Sequence, residues 1–241
     1  MTDERRPSLL AILVLLAALA FASAPFFVTS FAGFRPDQFP VPQIDPPVQP
    51  AGYAFAIWGV IYLWLIVSAG FGVWARGSMP DWEPMRPALA LSVGVGVAWL
   101  PVAVLSPIAA TVLIWLMLVT ALRALEKAPA LDHWLARAPV GLYAGWLTAA
   151  ASVSIGLLLA GYGITGEIPA AVIGLLLALV IALRTLRRVP GSGVYGLGVT
   201  WALVGVVVAD ISGAFGIAVL AGIAAIVTLV MSLPRLKATG R

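Results

Sequence analysis

Phe55, Trp58, Tyr62 and Leu65 are spaced i, i+3, i+7 and i+10, which on a helix of about 100° per residue puts them on one narrow face. A second row, Tyr143, Trp146, Ala150 and Ser154, shares one face of a later apolar stretch. Side chains of these types make contacts rather than covalent bonds. They offer ring faces and edges for packing, with an indole N–H, a phenol O–H and a hydroxyl to fix orientation. The first row descends about two turns, roughly 10 Å, while Trp64 and Phe71 point to the opposite side of the same helix. Such rows can wall a pocket.

Other chemistries find no support. There is no HExxH, no GxSxG, no Walker loop and no pair of carboxylates within one apolar stretch. The absence of cysteine removes disulfides, thiol catalysis and cysteine-based metal sites. The single histidine, His133, falls in a loop and is expected at a membrane interface. A metal site would need at least two further donors near it. Asp210 and Glu167 are the acids inside or beside apolar stretches, both near stretch ends, where solvation is the expected role rather than a proton relay. Gly191-Ser192-Gly193 after Arg187-Arg188 reads as a flexible basic loop. No enzyme activity is expected.

The elements that must position the aromatic rows follow from composition. The chain has 241 residues, 62% hydrophobic and 10% charged, against about a quarter charged in soluble domains. With a mean hydropathy of +1.06, it reads as one integral membrane domain over residues 1–241, all-α and polytopic. A span needs about 20 apolar residues. Eight are expected, near 9–31, 52–74, 87–105, 107–125, 139–161, 168–186, 194–211 and 213–233. Pro107 suits the first turn of the fourth. With a cytoplasmic amino terminus, thirteen of the fourteen Lys and Arg residues fall on the cytoplasmic side and only Arg35 outside, so both termini are expected inside. This topology accounts for the net charge of +4 without a nucleic-acid partner. Arg5-Arg6, an apolar run and Ala22-Ser23-Ala24 imitate a cleaved signal peptide, but Pro25 after the apparent site argues for retention. No internal repeat at a fixed offset joins the two halves of the chain.

Two further patterns bear on a pocket. Residues 32–51 carry Pro36, Pro40, Pro42, Pro46, Pro47 and Pro50, a density that stiffens a loop. This loop is expected outside, over the mouths of the first two spans, either as a rigid connector or as a lid. In the fifth span, Gly145, Ala149, Ser152 and Gly156 form a small-residue stripe for close helix packing, separate from the aromatic row. Trp74, Trp82 and Trp134 fit an interfacial belt. Trp64, Trp115 and Trp146 lie deeper, where an indole N–H needs a partner.

Pro50 stands eight residues before Trp58, and Ile57-Trp58-Gly59-Val60-Ile61-Tyr62 follows a Val-Trp-x-x-Leu-Tyr pattern. On these residues the chain resembles the tryptophan-rich sensory protein (translocator protein, peripheral benzodiazepine receptor) family, whose members carry a proline-rich loop before such a helix. Leu142-Tyr143-Ala144-Gly145-Trp146-Leu147-Thr148 resembles the Tyr-x-Gly-Trp segment of the longer bacterial members, and Thr200-Trp201-Ala202-Leu203-Val204-Gly205 a late Trp-Ala-Leu-x-Gly helix. The familiar members have five helices rather than eight. Gln49 stands where the first proline of a pair is usual, and Ser154 where the long members have asparagine.

The resemblance implies a helical-bundle pocket, closed by the first loop, for flat apolar ligands such as porphyrins or sterols. Phe55, Trp58, Tyr62, Tyr143, Trp146 and Ser154 are then the expected ligand-binding residues, with Trp58 as stacking platform and Pro46, Pro47 and Pro50 as the lid. No cofactor is required, but a bound tetrapyrrole or lipid would fit. The expected function is ligand binding or sensing in a bacterial inner membrane. Expected partners are membrane lipids, a small apolar ligand, and a membrane-protein partner or a second copy of the chain. The alternatives are an accessory subunit of a larger respiratory or photosynthetic complex and a small-molecule transporter.

Overall fold

The computed structural model describes residues 7–28 and 33–236. Among them are eight helices long and apolar enough to cross a membrane, and no strand. They are α1 (Leu9–Ser23), α2 (Ile57–Trp74), α3 (Arg86–Ala103), α4 (Pro107–Lys127), α5 (Arg137–Gly161), α6 (Glu167–Arg188), α7 (Gly193–Asp210) and α8 (Phe215–Ser232). Arg5, Arg6, Lys237, Arg241 and residues 29–32 lie outside the described residues.

Local chemistry sets the helix ends. Ser8 and Ser106 accept the backbone N–H of Ala11 and Ala109, each at 3.2 Å, and so satisfy a donor left free in the first turns of α1 and α4. One span ends earlier than expected, and another opens on a 3-10 turn. α1 stops at Ser23 and gives way to a 3-10 turn, Ala24–Phe26, because Pro25 has no N–H to continue the α-helical ladder. The second span covers Gly52–Trp74 as expected, with a 3-10 turn over Gly52–Ala56 that carries Phe55 followed by α2 from Ile57.

α5 is the axis of the bundle and the most enclosed helix. It packs against α4, α6 and α7 and touches α2, while α3 pairs with α4 and α7 with α8. α1 lies in the angle between α2 and α3. Close crossings rest on glycine. A Cβ at Gly145 would collide with the carbonyl oxygen of Tyr195, and Gly198 faces the same crossing from α7. The small-residue stripe of α5 therefore serves two neighbours: Gly145 meets α7, whereas Ser152 and Gly156 meet α6.

One end of the bundle is held by arginines. Arg86, at the start of α3 and 2% exposed, donates to the carbonyls of Gly72 (3.0 Å), Arg76 (2.7 Å) and Gly77 (3.1 Å), to Ser8 Oγ (3.0 Å) and to Glu83. Arg137, at the start of α5, donates to the carbonyls of Ala128 and Pro190. Arg235 donates to Leu186 O and Met231 O, both at 2.7 Å. Gly72, Ala128 and Leu186 are at the carboxyl ends of α2, α4 and α6, so these three arginines satisfy carbonyls that a helix leaves unpaired. Arg76 adds a two-pronged bond to Asp132 at 2.7 and 3.1 Å, joining the α2–α3 and α4–α5 connections.

Three side chains sit deeper than expected. Trp82, assigned to the interfacial belt, is buried and donates to Asp132 Oδ2 at 2.8 Å, because a carboxylate fifty residues away gives its N–H an interior partner. Asp210, expected to be solvated, is 5% exposed at the end of α7, with Oδ2 unpartnered. His133 is buried too, edge-on to Trp134 at 5.2 Å.

Burial, with the Arg137 charge as a second cause, lowers the His133 pKa from its ordinary value of 6.5. The folded chain therefore resists protonation that the unfolded chain accepts. Its contribution is complete above pH 6.5 and is lost as pH falls below that value through the lowered folded pKa. We expect the melting temperature to drop over this window, and the slope to flatten in His133→Gln. Asp132, whose pKa Arg76 pulls below its ordinary 3.8, contributes its full stability above that value and loses it only at more acid pH, which leaves this window clear.

Candidate ligand chamber

Phe55 occupies the 3-10 turn before α2, and Trp58 and Tyr62 the first two turns of the helix itself. The Trp58 and Tyr62 rings stack, with centroids 5.3 Å apart and planes at 18°. Phe21 of α1 meets both edge-on, at 5.7 and 5.0 Å. From the other side Trp146 of α5 meets Phe55 at 5.6 Å and Trp58 at 6.2 Å, again edge-on. Spans two and five are thus neighbours, as a shared pocket requires. Gly96 of α3 leaves the space that the Phe21 ring fills.

Around this cluster lie two clefts. The first, about 510 Å³ of unfilled space with its mouth included, is lined by Phe34, Gln49, Pro50, Phe55, Trp99, Ile114, Trp146, Ala150, Val153, Ser154 and neighbouring small residues. A second, about 930 Å³ measured the same way, is lined by Phe21, Pro25, Phe26, Phe55, Trp58, Tyr62, Trp99 and Leu100 among others. Phe55 and Trp99 border both clefts and divide one from the other.

The expected site residues therefore separate. Phe55, Trp146, Ser154 and Pro50 line the first cleft; Phe55, Trp58 and Tyr62 line the second. Tyr143 lines neither. It is fully buried behind Phe21, its ring 5.9 Å away, with its hydroxyl 3.0 Å from Ser92 Oγ of α3. Pro46 and Pro47 are buried within the loop and also line neither cleft. Phe21 and Trp99 are the principal lining residues that the aromatic rows did not indicate.

The proline-rich loop lines the first cleft with Phe34, Gln49 and Pro50 and extends beyond the first two spans. It crosses toward the other side of the bundle, where Gln38 donates to Ala103 O (2.9 Å), Val41 N–H to Gly161 O (2.9 Å) and Ala51 N–H to Gly205 O (3.0 Å). Those carbonyls belong to α3, α5 and α7. Val48 fills the space left by Gly156 and Gly174, and Pro50 packs on Gly205. The cause is complementarity: apolar loop side chains seat on glycines of α5, α6 and α7. The second cleft is left free of Pro46, Pro47 and Pro50.

Neither cleft is lined by a carboxylate, a histidine or a cation, and the described residues hold no cluster of three or more His, Asp and Glu suited to a metal. The polar groups are few. Ser154 Oγ donates to Ala151 O at 2.8 Å and keeps its capacity to accept. Trp146 differs: it is 2% exposed and its Nε1–H has no partner. Trp64, on the opposite side of α2, is satisfied by Trp134 O at 3.0 Å and stacks on the Trp134 ring. The chamber suits an apolar ring system with a hydrogen-bond acceptor.

The family model described as TSPO-like protein matches residues 8–233 of the chain. No curated protein and no solved structure matches it.

Proposed function

Because the chain belongs to the TSPO-like protein family, we propose that this multi-pass membrane protein binds or senses a flat, apolar ligand of tetrapyrrole or lipid type in the aromatic chamber. The observation that carries the reading is Trp146, whose ring walls the first cleft and whose buried N–H is unpaired. A buried donor without an acceptor costs about 1–3 kcal/mol, a penalty that a ligand acceptor removes. Ring edges from Phe55 and Trp58 converge on the same indole, a packing suited to a planar conjugated system. Apart from the Tyr62 phenol, neither lining holds an ionisable side chain, which favours binding over catalysis in this reading. In this reading the arginine end faces the cytoplasm and the proline-loop end the outside of a bacterial inner membrane.

The test is a titration of purified protein with protoporphyrin IX, followed by tryptophan fluorescence. Wild type is expected to show saturable quenching. Trp146→Phe, which keeps a ring and loses the N–H, is expected to weaken binding by about 1 kcal/mol, close to fivefold. Trp58→Phe weakens it as well, and Trp64→Phe, whose ring lines neither cleft, leaves it unchanged. Quenching that never saturates, or an equal response in all three variants, would sink the proposal.

A further inference from the structure

Arg184, Arg187 and Arg188 close α6 at the arginine end, and unlike the other described arginines they have no partner among the described residues. Arg35, Arg76 and Arg123 pair with Asp37, Asp132 and Glu126; Arg86, Arg137 and Arg235 are spent on backbone carbonyls. The three free guanidinium groups are exposed and, with Val180 and Leu183, line a shallow groove of about 690 Å³, its open side included. Positions 180, 183, 184, 187 and 188 fall at i, i+3, i+4, i+7 and i+8, so the groove runs along one helix face. That face continues toward mid-helix as Val180, Leu176 and Ile173, all exposed and apolar. The opposite face of α6, with Gly174, Ala178 and Ala182, is buried in the bundle.

Three like charges within two turns repel one another. The negative end of the helix dipole offsets part of that repulsion, but the Leu186 carbonyl there is already occupied by Arg235. Among the described residues, no carboxylate lies within ion-pair distance of any of the three. What remains unmet is a compact anion that accepts several hydrogen bonds, attached to something apolar that lies along the helix.

We propose that this groove binds an anionic phospholipid, its phosphate held by Arg184, Arg187 and Arg188 and an acyl chain laid along Val180, Leu176 and Ile173. A forked guanidinium matches a phosphodiester in two-pronged geometry. The charged end of a membrane-spanning helix is also where the head-group layer begins. The site is independent of the aromatic chamber, with which it shares no lining residue.

The test uses purified full-length protein, stripped of lipid in detergent and titrated by native mass spectrometry with dioleoylphosphatidylglycerol or dioleoylphosphatidylcholine. The phosphatidylglycerol adduct is expected to be retained at least about tenfold more strongly, with about fivefold lost for each arginine removed. In the triple variant Arg184→Gln, Arg187→Gln, Arg188→Gln the preference should disappear, while Arg123→Gln leaves it intact. The substituted side chains have no partner among the described residues, so the variant is expected to melt with wild type. If it melts lower, single Arg187→Gln and Arg188→Gln carry the test, each with a loss of about fivefold. Equal retention of the two lipids by wild type, or a preference that survives the triple substitution, would overturn the proposal. So would displacement of the lipid by inorganic phosphate, which would make the groove a site for a soluble anion.

Discussion

Gly145→Ala is expected to unfold or severely loosen the bundle, although it adds a single methyl group. The methyl would be driven into the carbonyl oxygen of Tyr195, and that carbonyl is part of the α7 backbone. A side chain in the way could rotate aside; a helix backbone moves only with the whole helix. Separating α5 from α7 would open a seam along the most enclosed helix in the molecule. Overpacking a tight core usually costs about 1–3 kcal/mol, and at a backbone-to-backbone crossing the upper part of that range or more is expected. The comparison is Gly94→Ala in α3, where an added Cβ meets nothing within 4 Å. That change should be neutral or slightly stabilising, by about 0.4–1 kcal/mol, because alanine narrows the unfolded ensemble. Thermal unfolding in detergent of both variants decides the matter. Equal melting temperatures would mean that the α5–α7 crossing is not the tight one. Trp146 follows Gly145 directly, so whatever separates the helices also displaces the chamber wall.

Arg86→Met carries the second large effect. Methionine fills a similar volume but leaves the carbonyls of Gly72, Arg76 and Gly77 without this donor, and Ser8 and Glu83 without their shared cation. Removing one partner of a buried charged network costs about 3–5 kcal/mol. Arg123→Met removes the same charge from a pair that is largely exposed, with Arg123 70% accessible, and should cost about 0–1 kcal/mol. The two variants carry equal net charge, so a difference in melting temperature isolates the hydrogen-bond network from simple electrostatics. Equal destabilisation would remove Arg86 from its capping role. Arg86→Lys would restore the charge without the fork and should recover only part of the loss.

The helices were legible because a membrane leaves one solution to the backbone, and about 20 apolar residues between breaks announce it. The aromatic row of α2 was legible for the same kind of reason, a period that no loop produces. Periodicity names a face but not the neighbour it meets. Tyr143 shares the Trp146 face on a helical wheel, yet it stands a turn away and is turned to Ser92 of α3. Phe21 was invisible because α1 is apolar on all sides and declares no inward face. Trp99 stayed hidden because its role rests on its position between two clefts, a property of three helices at once. The course of the proline-rich loop depends on glycines at 156, 174 and 205, whose meaning appears only once Val48 and Pro50 are placed on them. Trp82 and Trp134 both sit near helix ends, and only the position of Asp132 separates the buried one from the exposed one.

The arginine caps also carry a schedule. Ribosomes deliver the chain from its amino terminus, and a carbonyl can be capped only after its donor has been made. Gly72, at the end of α2, waits fourteen residues for Arg86, and Ala128, after α4, waits nine for Arg137. Both donors emerge at the start of the following helix. Leu186, at the end of α6, waits forty-nine residues for Arg235, which lies beyond the last span. The first four helices can thus settle as they are made, two at a time. The carboxyl end of α6 stays open until α7 and α8 have both been made, and the turn that follows α8 brings the group that closes it.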